Sequence, residues 1–386
     1  FAIINNFFFF LPNTSWGEHL CTEISSLKGK RVIVRVDWNM PVNNNEIGDT
    51  SRFDVTVPFL QKLVFAGAKV IILTHFGEKG ESLLPVATHA TKNLPFVVFN
   101  PSMDFAVLEE ATRNLKEGDA ILLENVRLFE GETENSPSLA RSFANLGDIF
   151  INDAFSVSHR SHASVVGIAL SMLSYFGPTF ERELENLSRA LKPVKPALLI
   201  VGGAKIATKL NLIKHYLDQG VRVFVGGAMV HNIWKARGLE IGGSLYDKHY
   251  TLSEEFVNHP LLLTPTDVVL ATGETVPHDK IPEGGVVVDC GNETVKMVIE
   301  TATLANTIIV NGPLGLYEKG WLHGSEQILT QLANTKVTSY IGGGDTVSVA
   351  HSLHLLQKFT FVSLGGGAML DFLAQGTLPG IDAITK

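Results

Sequence analysis

The feature that most constrains this chain is a recurring pattern of short aliphatic runs that do not alternate, most of them separated by stretches of helical period. Arg31–Val36, Lys69–Leu73, Phe96–Phe99, Ala120–Leu123 and Ile149–Ile151 come first. Ala197–Val201, Arg222–Val225, Val286–Val288, Thr307–Val310 and Phe359–Val362 follow. A strand with one wet face alternates apolar and polar side chains, so continuous runs of this length suit strands covered on both faces by helices. Strand–helix alternation throughout predicts an α/β fold with parallel sheets, whose ligand surface lies at the carboxyl ends of the strands. At 386 residues the chain exceeds one ordinary core, and two domains of similar size are expected. The divide is placed at Gly177–Pro178, because Thr179–Lys192 beyond it carries Phe180, Leu184, Leu187 and Leu191 at helical spacing. A helix that starts at a Gly-Pro break and leads into fresh βα units reads as a connector between domains.

Composition narrows the function. The net charge of -8 argues against a nucleic-acid partner, which needs a basic stripe to displace counterions. Arginines converging in a cleft can still hold a small anion within a mildly acidic exterior. Cys21 and Cys290 are far apart and belong to no CxxC pair, which points to a reduced, cytoplasmic setting. No apolar run approaches the roughly 18–20 residues of a membrane span. The Phe7–Phe10 run lacks a basic leader and reads as an atypical terminal extension with no assigned function.

In the second half, four turns place glycines directly after an expected strand: Gly202-Gly203-Ala204-Lys205, Gly226-Gly227-Ala228, Gly342-Gly343-Gly344-Asp345-Thr346 and Gly365-Gly366-Gly367-Ala368. Glycine lets the backbone approach a ligand, and the helix start that follows offers free N–H groups to an anion. Lys205 and Lys209, four apart, are expected to project from one helical face beside such a site. Asp345 has two readings: a carboxylate that holds Mg²⁺ against nucleotide phosphates, or a helix N-cap. Neither GxxxxGK[ST] nor GxGxxG spacing occurs, which disfavours a Walker-type phosphate loop and a nicotinamide dehydrogenase.

The first half instead carries basic residues at strand ends or in loops: Arg52, His75, Arg127, His159, Arg160 and His162. Arginine forks bind phosphate or carboxylate bidentately, so this set suits a doubly anionic small substrate. No cluster of further metal ligands accompanies His159 and His162, and no GxSxG elbow marks a hydrolase.

These segments, in this order, resemble the phosphoglycerate kinase family over nearly the whole chain, from about Leu27 to Gly380. The resemblance rests on Arg35-Val36-Asp37-Trp38-Asn39-Met40-Pro41, Leu122-Leu123-Glu124-Asn125-Val126-Arg127 and Asn152-Asp153-Ala154-Phe155 with His159-Arg160-Ser161-His162. It continues in Gly202-Gly203-Ala204-Lys205, Asn311-Gly312-Pro313-Leu314-Gly315 with Glu318, Gly342 to Thr346 and Gly365 to Ala368. It implies two Rossmann-like lobes: a triose-binding domain over 17–177 after a 1–16 extension, and a nucleotide-binding domain over 193–370. A hinge helix over 178–192 would join them, and a tail, 371–386, would pack back on the first lobe. The implied reaction moves a phosphoryl group between 1,3-bisphosphoglycerate and MgADP, giving 3-phosphoglycerate and ATP, in a cytoplasmic monomer. By motif, Asp37, Asn39, Arg52, His75, Arg127 and Arg160 would bind the triose. Gly203, Ala204, Lys205, Lys209, Asn311, Pro313, Glu318, Gly343, Gly344, Asp345 and Thr346 would hold the nucleotide, with Asp345 on magnesium. Arg52 and Lys205 would flank the phosphoryl group in transit.

The chain departs from the family pattern at several points. His-Leu-Gly-Arg appears as His75-Phe76-Gly77-Glu78, which puts an acid where a clamping arginine is usual; Lys79 is the adjacent cation that could replace it. Ala228, Val310 and Leu364 replace a glycine, a tryptophan and a threonine on the nucleotide side. Glu78 leaves a catalytically impaired, ligand-binding paralogue as the alternative.

Overall fold

The computed structural model describes residues 27–43, 46–78 and 80–386; the Phe-rich start at 1–16, Cys21 and Lys79 lie outside the described residues. One compact unit runs to Leu184 and takes in Thr377–Lys386, and the other is Glu185–Gly376.

The first unit is built on six parallel strands: β1 (Arg31–Arg35), β2 (Lys69–Leu73), β3 (Val97–Asn100), β4 (Ala120–Leu123), β5 (Ile149–Asn152) and β6 (Ser174–Phe176), in the order β3-β4-β2-β1-β5-β6. Chain order reverses between β1 and β5, where Val32 lies beside Ile149 and Arg35 beside Asn152. In an open α/β sheet, ligands bind beyond the carboxyl ends of the strands at such a reversal. Val32, Ile33 and Val34 of β1 are fully buried, as a strand covered on both faces must be.

The second unit repeats the plan with β7 (Ala197–Val201), β8 (Arg222–Val225), β9 (Leu262–Leu263), β10 (Thr307–Asn311), β11 (Thr338–Gly342) and β12 (Phe361–Val362), ordered β9-β8-β7-β10-β11-β12. Its reversal lies between β7 and β10, where Val201 pairs with Asn311. Both strands therefore end in glycine turns at the same edge. Val287–Cys290, read from the sequence as one more core strand, instead pairs antiparallel with Asp267–Leu270, beside Thr275–Pro277. Its apolar run signalled burial, which an antiparallel strand under a helix also satisfies.

The helices that matter here are α1 (Pro178–Leu191), α2 (Leu210–Asp218), α3 (Gly344–Ser352), α4 (Gly367–Gln375) and α5 (Pro379–Thr385). Helix α5 starts with proline at its first turn and buries Ile381 and Ile384. The Gly380 N–H donates to the Ser158 carbonyl at 2.9 Å, which ties the C-terminus to the first unit.

Helix α1 begins beside β5. The Asp153 carboxylate accepts from the Thr179 and Phe180 N–H groups at 2.7 and 3.1 Å, caring for two of the helix's orphan donors. Gly177 is required here, because a Cβ would lie 2.6 Å from the Asp153 side chain. Burial pushes the Asp153 carboxyl up to about 7, against the pull of those N–H groups; burial, with Asp153 nearby, lifts Glu181 to about 7 as well. An acid whose pKa rises on folding contributes stability below its unfolded value and loses it as pH climbs through the folded one. Asp153→Asn is expected to flatten the fall in Tm between about pH 4 and pH 7. A wild-type slope in that variant, followed by thermal unfolding, would refute the assignment.

Candidate functional site

In the first unit the site starts from a packing event. Trp38 is fully buried; its Nε1 donates to Thr56 Oγ1 at 2.9 Å and its ring lies 4.8 Å from that of Phe53. Phe53 anchors the one-turn helix Ser51–Asp54, and its neighbour Arg52 reaches Asp37 Oδ2 at 2.8 Å. Asp37 also accepts from Ser156 and lies 3.6 Å from His75 Nδ1. Burial alone would raise the Asp37 pKa, but Arg52, His75, the Ser156 hydroxyl and Arg35 together hold it below the usual carboxylate range.

His75 departs from the expectation of a basic group. Burial, reinforced by Arg35, Arg127 and Arg52, pulls its pKa down to about 3 despite Asp37, so the ring is neutral. It offers hydrogen bonds rather than charge. Asn39 Oδ1 accepts from the Gly77 N–H at 3.0 Å, and Arg127 donates to the Gly77 carbonyl. Both residues thereby brace the turn after β2. Arg160 is exposed, with Nε 3.4 Å from His159 Nε2, and its charge acts on Arg127 and His162. Asp37 is thus in direct contact with Arg52 and His75, Arg127 is joined to them through its field, and Arg160 acts in turn on Arg127.

Glu78 is exposed, and its charge acts on Arg127. The acid therefore lies within electrostatic reach of Arg127.

Residues passed over in the sequence reading complete this edge: Arg35, Asn125, Glu132, Ser156 and Ser164. Asn125 Oδ1 accepts from Phe76 and Arg127 N–H groups at 3.2 and 3.1 Å. Arg35 did leave a signal, because a cation at the end of the buried run Arg31–Arg35 demands a buried partner.

In the second unit the glycine turns divide into two kinds. A Cβ on Gly202 would lie 2.0 Å from the Pro313 carbonyl oxygen, and one on Gly227 would lie 2.6 Å from the Gly203 nitrogen. These glycines let β7, β8 and β10 end against each other. Gly344 and Gly366, by contrast, have nothing within 4 Å of a built Cβ, and Gly203 only Lys209 Nζ at 3.7 Å. Their backbones face open space, as close approach to a ligand requires.

Lys205 and Lys209 do not share a helical face as expected. Ile206–Thr208 is a 3₁₀ turn and α2 begins only at Leu210, so four residues do not complete an α-helical repeat. Lys205 is exposed. Lys209 turns inward and donates to the Gly202 carbonyl at 2.7 Å, the Asn311 carbonyl at 3.1 Å and Asn311 Oδ1 at 2.7 Å, tying β7 to β10. Burial lowers its pKa to about 8, with Asp345 pulling the other way.

Thr346 is buried and accepts from the Gly312 N–H at 2.7 Å; Asn311 and Pro313 are buried with it. Ala204, Gly344, Asp345 and Glu318 are exposed and Gly343 is half-buried. Gly343, at φ +91°, caps α3, which rules out the N-cap reading of Asp345. Val310 lines a small apolar cavity of about 10 Å³ with Ile200, Leu314, Ile328 and Val349, too small for a nucleotide.

Paired doubly wound units, one lined with arginines and the other with open glycine turns, are the equipment of a phosphotransferase acting on a small anion. The family model described as "Phosphoglycerate kinase" matches residues 22–376. Phosphoglycerate kinase of Thermosipho africanus is 38% identical over 96% of this chain and 98% of its own length; that of one Staphylococcus aureus strain is 37% identical over 93% and 97%. The solved phosphoglycerate kinase of Coxiella burnetii superposes with a TM-score of 0.82 at 34% identity, covering 93% of this chain and 97% of that one. The chain belongs to the phosphoglycerate kinase family and is a kinase of that activity. Nothing in these comparisons favours the impaired-paralogue alternative.

Proposed function

We propose that the first unit binds 3-phosphoglycerate or 1,3-bisphosphoglycerate, that the second binds MgADP or MgATP, and that the reaction is transfer at the acyl phosphate. A β-phosphate oxygen of ADP forms the new bond to phosphorus as the bond from phosphorus to the acyl oxygen breaks. The 3-phosphoglycerate carboxylate leaves with the electron pair. Such transfer needs alignment and positive charge on the equatorial oxygens more than covalent help from the protein.

Arg52 would supply that charge from the triose side and Lys205 from the nucleotide side. Asp37 orients Arg52, while His75, Asn39, Arg127 and Arg160 would hold the triose. The N–H groups of Gly203, Ala204, Gly343 and Gly344 would meet the phosphates, with Glu318 toward the nucleoside. Lys209, Asn311, Pro313 and Thr346 would shape that cradle from behind. Magnesium enters as part of the nucleotide substrate. The exposed Asp345 carboxylate suits it, since Mg²⁺ takes one or two carboxylates together with phosphate oxygens and water. Among the described residues no group of three or more metal-ligating side chains comes together. Among them, too, no helix is long and apolar enough to cross a membrane. On the family resemblance, we place the enzyme in the cytoplasm as a monomer.

The observation that carries this reading is the Arg52–Asp37 pair at the strand reversal of a chain in this family. Calorimetric titration with MgADP and with 3-phosphoglycerate, separately and then together, alongside coupled ATP consumption, tests it. Failure of either ligand to bind would overturn it. Glu78→Arg is expected to lower the KM for 3-phosphoglycerate about fivefold, a gain on the order of 1 kcal/mol for a partly screened charge reversal. An unchanged or higher KM would mean that Glu78 does not face the substrate.

A further inference from the structure

Behind the cationic edge of the first unit runs a buried polar chain. Glu132 is 1% exposed and Arg35 is also 1% exposed, so both charges are sequestered from water. The Glu132 carboxylate accepts from the Ser164 N–H at 2.9 Å and from the Ser164 hydroxyl at 2.5 Å, and it lies 3.8 Å from His162 Nδ1. Its own carbonyl accepts from the Ala163 N–H at 2.9 Å. Ser164 Oγ accepts in turn from Arg35 Nε at 3.1 Å. The far end of the Arg35 guanidinium lies 3.4 Å from His75 Nδ1, beside Asp37, which holds Arg52.

We propose that Glu132 is a positioning residue for the anion-binding edge: a buried carboxylate that holds Ser164, and through it Arg35, beneath His75 and Asp37. The proposal rests on the reading of this unit as the phosphoglycerate half. A buried guanidinium needs a counter-charge, and Glu132 and Asp37 are the acids whose fields favour its charged form. Charge balance alone does not require the route through Ser164. That route joins the end of β1 to the segment that carries Arg160 and His162, so one carboxylate sets the spacing of two parts of the site. Geometry held through such supporting hydrogen bonds is what keeps a constellation within working tolerance.

The charged groups facing His75 are Asp37, Arg35, Arg127 and Arg52; those facing Glu132 are Arg35 and Arg127, beside the His162 ring, which burial and the nearby arginines keep neutral by lowering its pKa to about 4. If Glu132 releases Arg35, one of the cations that keep His75 neutral recedes, and the ring must titrate closer to neutrality. A purely structural role would leave that titration in place.

The test uses Glu132→Gln, Ser164→Ala and the charge-neutral double variant Arg35→Met with Glu132→Leu. It reads KM for each substrate, kcat, and the His75 ring titration by NMR. All three variants are expected to raise the KM for 3-phosphoglycerate about tenfold, the scale of a small misplacement of binding groups, with the KM for MgADP within about twofold. In the first two the His75 titration should move upward. Should Glu132→Gln fail to fold, Ser164→Ala and the double variant, which buries no charge in this pair, decide. An unchanged KM for 3-phosphoglycerate in folded variants overturns the proposal. So does recovery of that KM in the double variant, which would make Glu132 a counter-ion only. If the wild type itself fails to bind 3-phosphoglycerate, the substrate reading falls, and the His75 titration alone decides positioning.

Discussion

Arg52→Ala and Lys205→Ala are each expected to lower kcat by about 10² or more, the scale of removing one preorganised donor from a transition state that develops negative charge. That factor corresponds to about 2.7 kcal/mol of barrier. The Arg52 side chain is 36% exposed and anchored at 2.8 Å to Asp37, so its direction is set before substrate arrives. Little reorganisation then remains for the chemical step. Lys205 is exposed at the turn after β7, and its removal should leave the second unit folded. If both cations act on one phosphoryl group, the double variant will lose less than the product of the single losses, because neither residue works fully without the other. Arg52→Lys keeps the charge but not the planar fork, and should fall between wild type and alanine. Steady-state kcat in both directions, with folding checked by circular dichroism, gives the answer. Wild-type turnover in either alanine variant would remove that residue from the mechanism.

Gly312→Ala should act on stability and on nucleotide binding together. At φ +98°, a Cβ on Gly312 would lie 2.3 Å from the Gly202 carbonyl oxygen and 2.6 Å from Lys209 Nζ. Backbone strain and overpacking each cost about 1–3 kcal/mol, so a loss of about 2–6 kcal/mol is expected in urea unfolding of this unit. The displaced Lys209 ammonium must also give up bonds to Gly202 and Asn311, which spreads the two turns. The KM for MgADP should rise, while that for 3-phosphoglycerate stays.

Gly344→Ala is the counterpart. Gly344 opens helix α3, has no positive φ, and a Cβ there meets nothing within 4 Å. Stability should hold or rise by up to about 1 kcal/mol, as for glycine replaced at a compatible site. The KM for MgADP should still rise about tenfold, on the order of 1.4 kcal/mol, because the methyl fills space reserved for phosphate. Should Gly344→Ala bind nucleotide normally, the open turn is not the phosphate site.

Much of this was legible along the chain. Uninterrupted aliphatic runs such as Ala197–Val201 can be stable only when covered on both faces, so the α/β class followed from local pattern alone. Short or polar strands were harder. Ser174–Phe176 and Leu262–Leu263 carry too few side chains to leave a periodic signal, and Val287–Cys290 has a core-like composition in an antiparallel sheet. Motif order likewise identified the family and the residue types at each strand end, because spacing survives as a one-dimensional record of turn chemistry.

The chain itself determined which side chains carry charge, which turns are free of Cβ atoms, and where strands must be buried. Tertiary structure alone decided what those groups are. It made His75 a neutral ring and turned Lys209 inward as a strap. It also separated glycines that pack, such as Gly202, from those that face open space, such as Gly344. The reason is that protonation and hydrogen-bond partnership depend on burial and on neighbours distant in sequence, as Glu132 and Arg35 are, and local spacing carries no trace of either.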